Sequence, residues 1–256
     1  MDDENAIQKS IAARLISALK QGEFVLYGQP IVPLAPASGE RPFQEILIRF
    51  REEEAKLLPP GSFFPLLEEY RLLPYVDRWM VSWLSSWAQA SRANKPDWLA
   101  PRNGINLAAD TLLDPTFADF TSKHIRNAGL PDESFVFEIA WDTALARTGK
   151  LGELRAQLKP AGCRFSLADF DGSEVSFNFL KEVAPDFVKL GYDVLKDIDR
   201  ALAASERAES INRKCHSMGI RTIAEYVESR DVLEQLRAIE VDFAQGLEIG
   251  PAQRLA

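Results

Sequence analysis

Six polar side chains stand where an apolar run would be expected to continue. Glu45 opens Glu45-Ile46-Leu47-Ile48-Arg49, Asn106 interrupts Ile105-Asn106-Leu107, and Glu138 follows Phe135-Val136-Phe137. Asp169 precedes Phe170, Lys189 follows Phe187-Val188, and Glu225 begins Glu225-Tyr226-Val227-Glu228 after Ala224. A charged group in a buried strand is costly unless it is paired or coordinated. Carboxylates and an amide are hard oxygen donors, which suit Mg²⁺ or Mn²⁺. With an arginine and a lysine among them, they also suit a phosphodiester. The two cysteines, Cys163 and Cys215, and the two histidines, His124 and His216, have no zinc-ligand spacing. The cysteines read as buried thiols in a reducing cytoplasm, and the histidines as surface or packing residues on helices.

Side chains so far apart in sequence need a scaffold that gathers them. The first strand runs from Phe24 through Val32 and the second from near Phe43 to Phe50. The Pro-, Ala- and Ser-rich stretch between them is too short for a crossover helix, so the two are expected to form a hairpin. Helical and strand patterns then alternate. One long helix is expected over about Ser62–Asn94, with Trp79, Trp83 and Trp87 in a row at i, i+4, i+8, a packing pattern. Strands are expected at Gly104–Leu107, Phe135–Ala140, Arg164–Phe170, Phe187–Leu190, Arg221–Val227 and Phe243–Ala244. Between them lie helices near Pro115–Ala128, Thr143–Leu158, Glu174–Val183, Ala201–Met218 and Ser229–Ile239. That makes eight strands and an α/β fold, a modified TIM (β/α)8 barrel with one antiparallel strand, whose chemistry sits at the C-terminal strand ends.

The 256 residues, 46% of them hydrophobic, match the usual size of one such barrel, about 250. With 38 acids against 30 bases the net charge is −8, which argues against a nucleic-acid polymer as partner. No stretch is long and apolar enough to be a membrane span, and the acidic N-terminus is no signal peptide. A cytoplasmic location is expected. Residues 1–22 read as an N-terminal linker helix (apolar spacing over 6–21) and 23–256 as the barrel. The helix suggests a junction with an upstream domain or partner protein, which would make the chain a fragment, or else it closes the barrel.

The chain resembles the EAL family, whose active members hydrolyse cyclic di-GMP to the linear dinucleotide. The resemblance runs from Glu23 to Pro251. It rests on Gln29-Pro30-Ile31-Val32, on Glu45-Ile46-Leu47-Ile48-Arg49 (the family's E-x-L-x-R) and on Asn106 in Ile-Asn-Leu-Ala-Ala. Glu138, Asp169-Phe170, Lys189, Glu225-Tyr226-Val227-Glu228 and Gln245-Gly246 extend it. It implies Glu45, Asn106, Glu138 and Asp169 as metal ligands for Mg or Mn, Glu225 in support of a metal or the attacking water, and Lys189 orienting that water. It also implies that cyclic di-GMP is held by Arg49 at a phosphate, by Leu47, and by Gln29, Glu228 and Gln245 at guanine edges. A homodimer is left open.

The pattern breaks around one loop. Two consecutive aspartates are the family's usual pair, but here Ala168 precedes Asp169, so one metal ligand is missing. Asp171 replaces a glycine, in the wrong register to substitute for that ligand. Trp141 replaces the second glutamate of E-x-T-E, with Asp142 expected to face the other side of a strand. Gly191 replaces the aspartate of K-I-D. The ligand-facing set is intact. The favoured reading is a cyclic di-GMP-binding signalling module with impaired or absent hydrolysis. A metal-dependent phosphodiesterase is the first alternative, and a protein-interaction barrel without ligand the second.

Overall fold

Short apolar runs such as Phe135–Ile139 and Phe187–Leu190 become strands buried along their whole length, and the 3.6-residue patterns between them become the helices that cover the strands. The computed structural model describes residues 13–35, 40–51, 57–58, 60–95 and 97–255. A helix, α1, covers 13–20; the part of the expected N-terminal helix before residue 13 lies outside the described residues. The strands are β1 (Phe24–Pro33), β2 (Phe43–Arg51), β3 (Leu57–Leu58), β4 (Arg102–Asn106), β5 (Phe135–Ile139), β6 (Arg164–Phe170), β7 (Phe187–Leu190), β8 (Arg221–Ala224), β9 (Phe243–Ala244) and β10 (Gln253–Arg254). The helices after α1 are α2 (Pro60–Glu69), α3 (Leu73–Asn94), α4 (Phe117–Ala128), α5 (Trp141–Ala146), α6 (Thr148–Leu158), α7 (Glu174–Val183), α8 (Tyr192–Leu195), α9 (Leu202–Ser217) and α10 (Arg230–Ala238).

Eight of the strands close a barrel in the order β1-β2-β4-β5-β6-β7-β8-β9 and back to β1. β1 is antiparallel to both of its neighbours, while the pairs from β2 to β9 are parallel. The hairpin register, Gln29 opposite Glu45 and Ile31 opposite Phe43, confirms the reversed strand expected from the short connection. β3 and β10 pair outside the closed ring, on β2 and β1.

Two expected helices are each divided. The long one breaks into α2 and α3 at Arg71, whose φ is +53°, and Pro74 then starts the second piece. The expected Thr143–Leu158 helix is α5 and α6, parted at Arg147. The Trp row on α3 packs as expected. Trp79 lies 6.2 Å from Phe24, and Trp87 stands edge-on to Trp98 at 5.3 Å. Cys163 and Cys215 are buried and free, and burial pushes both thiols up to about 12. His124 packs on Phe120, and His216 pairs with Asp242 at 2.7 Å.

Inside the barrel, one end is filled by Ile31, Phe43, Val136, Phe187, Ile223 and Phe243. The rings of Phe43, Phe187 and Phe243 meet at 5.6–6.0 Å. This apolar floor forces the polar inward positions to the other end.

Candidate functional site

The polar layer follows from the registers. Gln29 faces Glu45 across β1 and β2, Gly104 is level with Glu45, Asn106 with Glu138, Glu138 with Ser166, Ser166 with Phe187 and Lys189 with Ile223. Stepping two residues along each strand keeps the same face. The inward position above the floor is therefore Gln29 on β1, Glu45 on β2, Asn106 on β4, Glu138 on β5 and Lys189 on β7. Glu225 and Gln245 stand just past the ends of β8 and β9. On β6 the same step from Ser166 leads to Ala168. At this step seven of the eight strands present a polar side chain to the centre, and β6 presents the methyl group of Ala168, one step above the buried Ser166 hydroxyl, which has no partner among the described residues.

Lys189 is the hub. Its Nζ lies 2.7 Å from Glu138 Oε2, 3.0 Å from Glu45 Oε2 and 3.0 Å from Glu225 Oε1. Lys189 is 1% exposed, Glu138 6% and Glu45 8%. Asn106 Nδ2 donates to Glu45 Oε1 at 2.8 Å. Gln245 Nε2 donates to Glu45 Oε2 at 2.6 Å and to Gln29 Oε1 at 3.1 Å. Burial alone would raise Glu45, but Lys189 and the hydrogen bonds from Gln245 and Asn106 outweigh it and hold the carboxyl below its usual range. Burial pushes Glu138 up to about 7 against the pull of Lys189, helped by the charges of Glu45 and Glu225. Burial also raises Glu225 against Lys189, with Glu45 and Asp169 adding to the rise.

Asp169 is exposed and has φ +57°, at an irregularity in the β6–β7 register between Leu167 and Phe170. Asp171 is committed elsewhere, since its Oδ1 accepts from the Ser173 backbone N–H at 2.9 Å. Trp141 begins α5 and does not continue β5, so strand alternation is not what sets the side of Asp142. The Trp141 ring packs 5.6 Å from Phe170 and 5.2 Å from Phe179, an aromatic clamp behind the β6 end. At Gly191 a Cβ would meet Phe170 O at 3.2 Å and the Asp169 carbonyl carbon at 3.3 Å, so the β6 backbone crowds the place of an aspartate side chain there.

Around the ring, Gln29, Glu45, Glu225, Glu228 and Gln245 line a cavity of about 240 Å³. Gly246 shapes its edge: φ is +159°, and a Cβ would strike the Val227 backbone at 2.2 Å. Gln245 Oε1 is buried without a partner among the described residues, leaving an acceptor free for a ligand N–H. Arg49, half-buried farther along β2, donates to Ile48 O at 2.9 Å and lies over Tyr27 at 6.0 Å. A second, mostly apolar cavity of about 280 Å³ lies between β2 and α3, lined by Leu47, Phe64, Met80 and Asn106, with Asp77 among them. Asp77 was not singled out in the sequence. It is buried, accepts from Thr111 Oγ1 and from Ala108 N at 3.0 Å, and burial pushes it up to about 7.

The donor chemistry fits one hard cation, through the oxygens of Glu45, Asn106, Glu138 and Glu225. Position 168 adds no oxygen to that set. Among the described residues, no group of three or more His, Cys, Asp or Glu side chains stands open to a metal ion. The three carboxylates turn to the Lys189 ammonium. Nor is any described helix long and apolar enough to cross a membrane.

A family model described as EAL domain matches residues 12–252. The cyclic di-GMP phosphodiesterase PdeB of Shewanella oneidensis is 31% identical over 247 residues, 96% of this chain and 28% of that protein. The chain spans roughly a third of the length of PdeB, of PdeF of Escherichia coli and of PdeA of Borreliella burgdorferi. The FimX EAL domain of Xanthomonas citri, solved in complex with cyclic di-GMP, superposes with a TM-score of 0.87 at 21% identity, covering 98% of this chain and 96% of that one. The FimX EAL domain of Pseudomonas aeruginosa, bound to cyclic di-GMP, gives 0.83 at 24% identity, covering 94% and 95%.

Proposed function

The chain belongs to the EAL domain family, and from that premise we propose that it binds cyclic di-GMP over the polar ring and hydrolyses it weakly or not at all. The observation that carries this reading is the methyl group of Ala168 where the other seven strands present polar groups. Binding draws on Arg49 at a phosphate and on Gln29, Glu228 and Gln245 at a guanine edge. The orphan acceptor of Gln245 and the cavity beside it support that assignment. The apolar cavity behind Leu47 suits a second base, with the Asp77 carboxyl facing its N–H donors.

Hydrolysis asks for more. Mg or Mn would be held by Glu45, Asn106, Glu138 and Asp169 with Glu225 in support, and would supply Lewis-acid polarisation and an activated water. Lys189 would orient that water. Without an oxygen at 168 the set holds one dication better than two, and the Lys189 ammonium already offsets part of its charge. Occupancy would then be reported to an upstream domain or partner protein.

Calorimetric titration with cyclic di-GMP in chelator and in Mn²⁺, with chromatography for the linear dinucleotide, tests the reading. Binding in chelator without product is expected. A second reading, a metal-dependent phosphodiesterase, is favoured by the 31% identity to PdeB. Fast Mn²⁺-dependent turnover that Glu45→Ala abolishes would establish it in place of the first.

A further inference from the structure

At the opposite end of the barrel the strands start among arginines. Arg102, Arg164 and Arg221 are the first residues of β4, β6 and β8. Part of this group is a staple. Arg102 binds Glu133 at 2.7 Å and also Glu40, while Arg41 donates to the carbonyls of Ala100, at 2.9 Å, and Asp132. Arg221 lies over the Phe187 ring at 4.4 Å and covers the aromatic floor.

Another part is left over. A cavity of about 290 Å³ opens here, with Arg155, Lys159, Arg164 and Arg221 among its lining and Glu133 and Asp186 opposing them. Arg155 and Lys159 are four residues apart at the end of α6, so they share a face. Neither has an acidic partner among the described residues. Arg164 Nε lies 3.0 Å from Glu133 and 3.6 Å from Asp186. Both Glu133 oxygens are engaged, one by Arg102 and one by Arg164, and Asp186 Oδ2 accepts from Phe165 N at 2.9 Å. Arg221 is also answered from outside the lining by Glu40, 3.5 Å from its Nη1, so the excess charge of the four cations over the two lining carboxylates sits on Arg155 and Lys159.

We propose that this cavity binds a phosphate group, as the free ion or as the monoester of a small metabolite. Guanidinium forks match phosphate oxygens, and a concave basic lining focuses the field on a small anion. The volume lies at the low end for ligand cavities and suits a small ester. The site is separate from the polar ring, with the aromatic floor between them.

The test is a titration of the whole chain with inorganic phosphate, and in a second arm with glycerol 3-phosphate. Chloride holds the ionic strength constant, and the Cys163 and Gly219 amide resonances are followed by NMR. Saturable shifts at those amides are expected. R155E/K159E should weaken binding by at least about tenfold, with the melting temperature and cyclic di-GMP affinity unchanged. If that double variant does not fold, R155Q should give a graded loss. Tighter binding of the ester assigns the site to a phosphorylated metabolite, and tighter binding of the free ion to phosphate itself. Shifts that stay linear with concentration, or saturation that the charge variants leave untouched, would overturn the proposal.

Discussion

Lys189 Nζ lies 2.7 Å from Glu138 Oε2, and the two groups answer the same burial in different ways. Glu138 rises to about 7 because burial outweighs the ammonium beside it. Lys189 goes well above its usual value because Glu138, Glu45 and Glu225 together outweigh its own burial. Three carboxylates therefore share one fixed cation, in the part of the barrel where the family resemblance implies dissolved ones.

Removing that ammonium should be expensive. In Lys189→Met the three carboxylates lose their common partner, and breaking a buried ion pair costs about 3–5 kcal/mol. Thermal melts should show the loss, and Mn²⁺ should recover much of it by taking the vacated charge role. A variant as stable as wild type in chelator would show that the carboxylates do not depend on Lys189.

Ala168→Asp should restore an inward oxygen on β6. Mn²⁺ affinity, followed by paramagnetic relaxation or calorimetry, is expected to tighten by about tenfold, near 1.4 kcal/mol. Turnover is expected to lag behind, because Gly191 and Trp141 still differ from the family pattern. No change in affinity would place residue 168 outside the coordination sphere.

Asp77 predicts a pH dependence of stability. Its carboxyl rises from 3.8 to about 7 on folding. Between those values the folded chain keeps a proton that the unfolded chain has lost, so stability falls as pH rises through the window. A rise of that size corresponds to roughly 4 kcal/mol at most. Asp77→Asn retains an acceptor for Thr111 and Ala108 and cannot ionise. Denaturant midpoints for D77N and wild type should agree near pH 4, separate between pH 4 and 7 and stay a constant distance apart above that, with D77N the more stable. Parallel curves would refute the assignment.

Arg49 is the side chain assigned to a ligand phosphate. Arg49→Ala should weaken cyclic di-GMP binding by about 1.5–3 kcal/mol, the range for a charge-assisted hydrogen bond. The melting temperature should barely move, since among the described residues Arg49 bonds to the Ile48 carbonyl and lies over Tyr27. Unaltered affinity would remove Arg49 from the site.

The barrel was readable because apolar strand runs alternate with helical patterns and because Pro33 to Pro42 leaves no room for a crossover. Glu45, Asn106, Glu138 and Lys189 were readable because each interrupts an apolar run. Gln29 and Gln245 needed the family resemblance, since an amide near a strand end carries little signal. Asp77 was hidden: between Val76 and Arg78 on an amphipathic helix it looks like a solvated position, and only the fold brings Thr111 and Ala108 to it. The breaks at Arg71 and Arg147 were also hidden, because apolar spacing continues through both. That Trp141 clamps Phe170 depends on a strand ending one residue early and a helix starting at Trp141, which no spacing announces.

Because β1 runs against its neighbours, its first residues lie beside the last residues of β2, with Phe24 opposite Phe50. The chain that leads into the barrel through 13–20 therefore arrives on the side of the polar ring, whereas a barrel of uniformly parallel staves would receive it beneath the aromatic seal. A pull or twist on that leading segment acts at the rim of the proposed nucleotide site, with no path through the core to travel first.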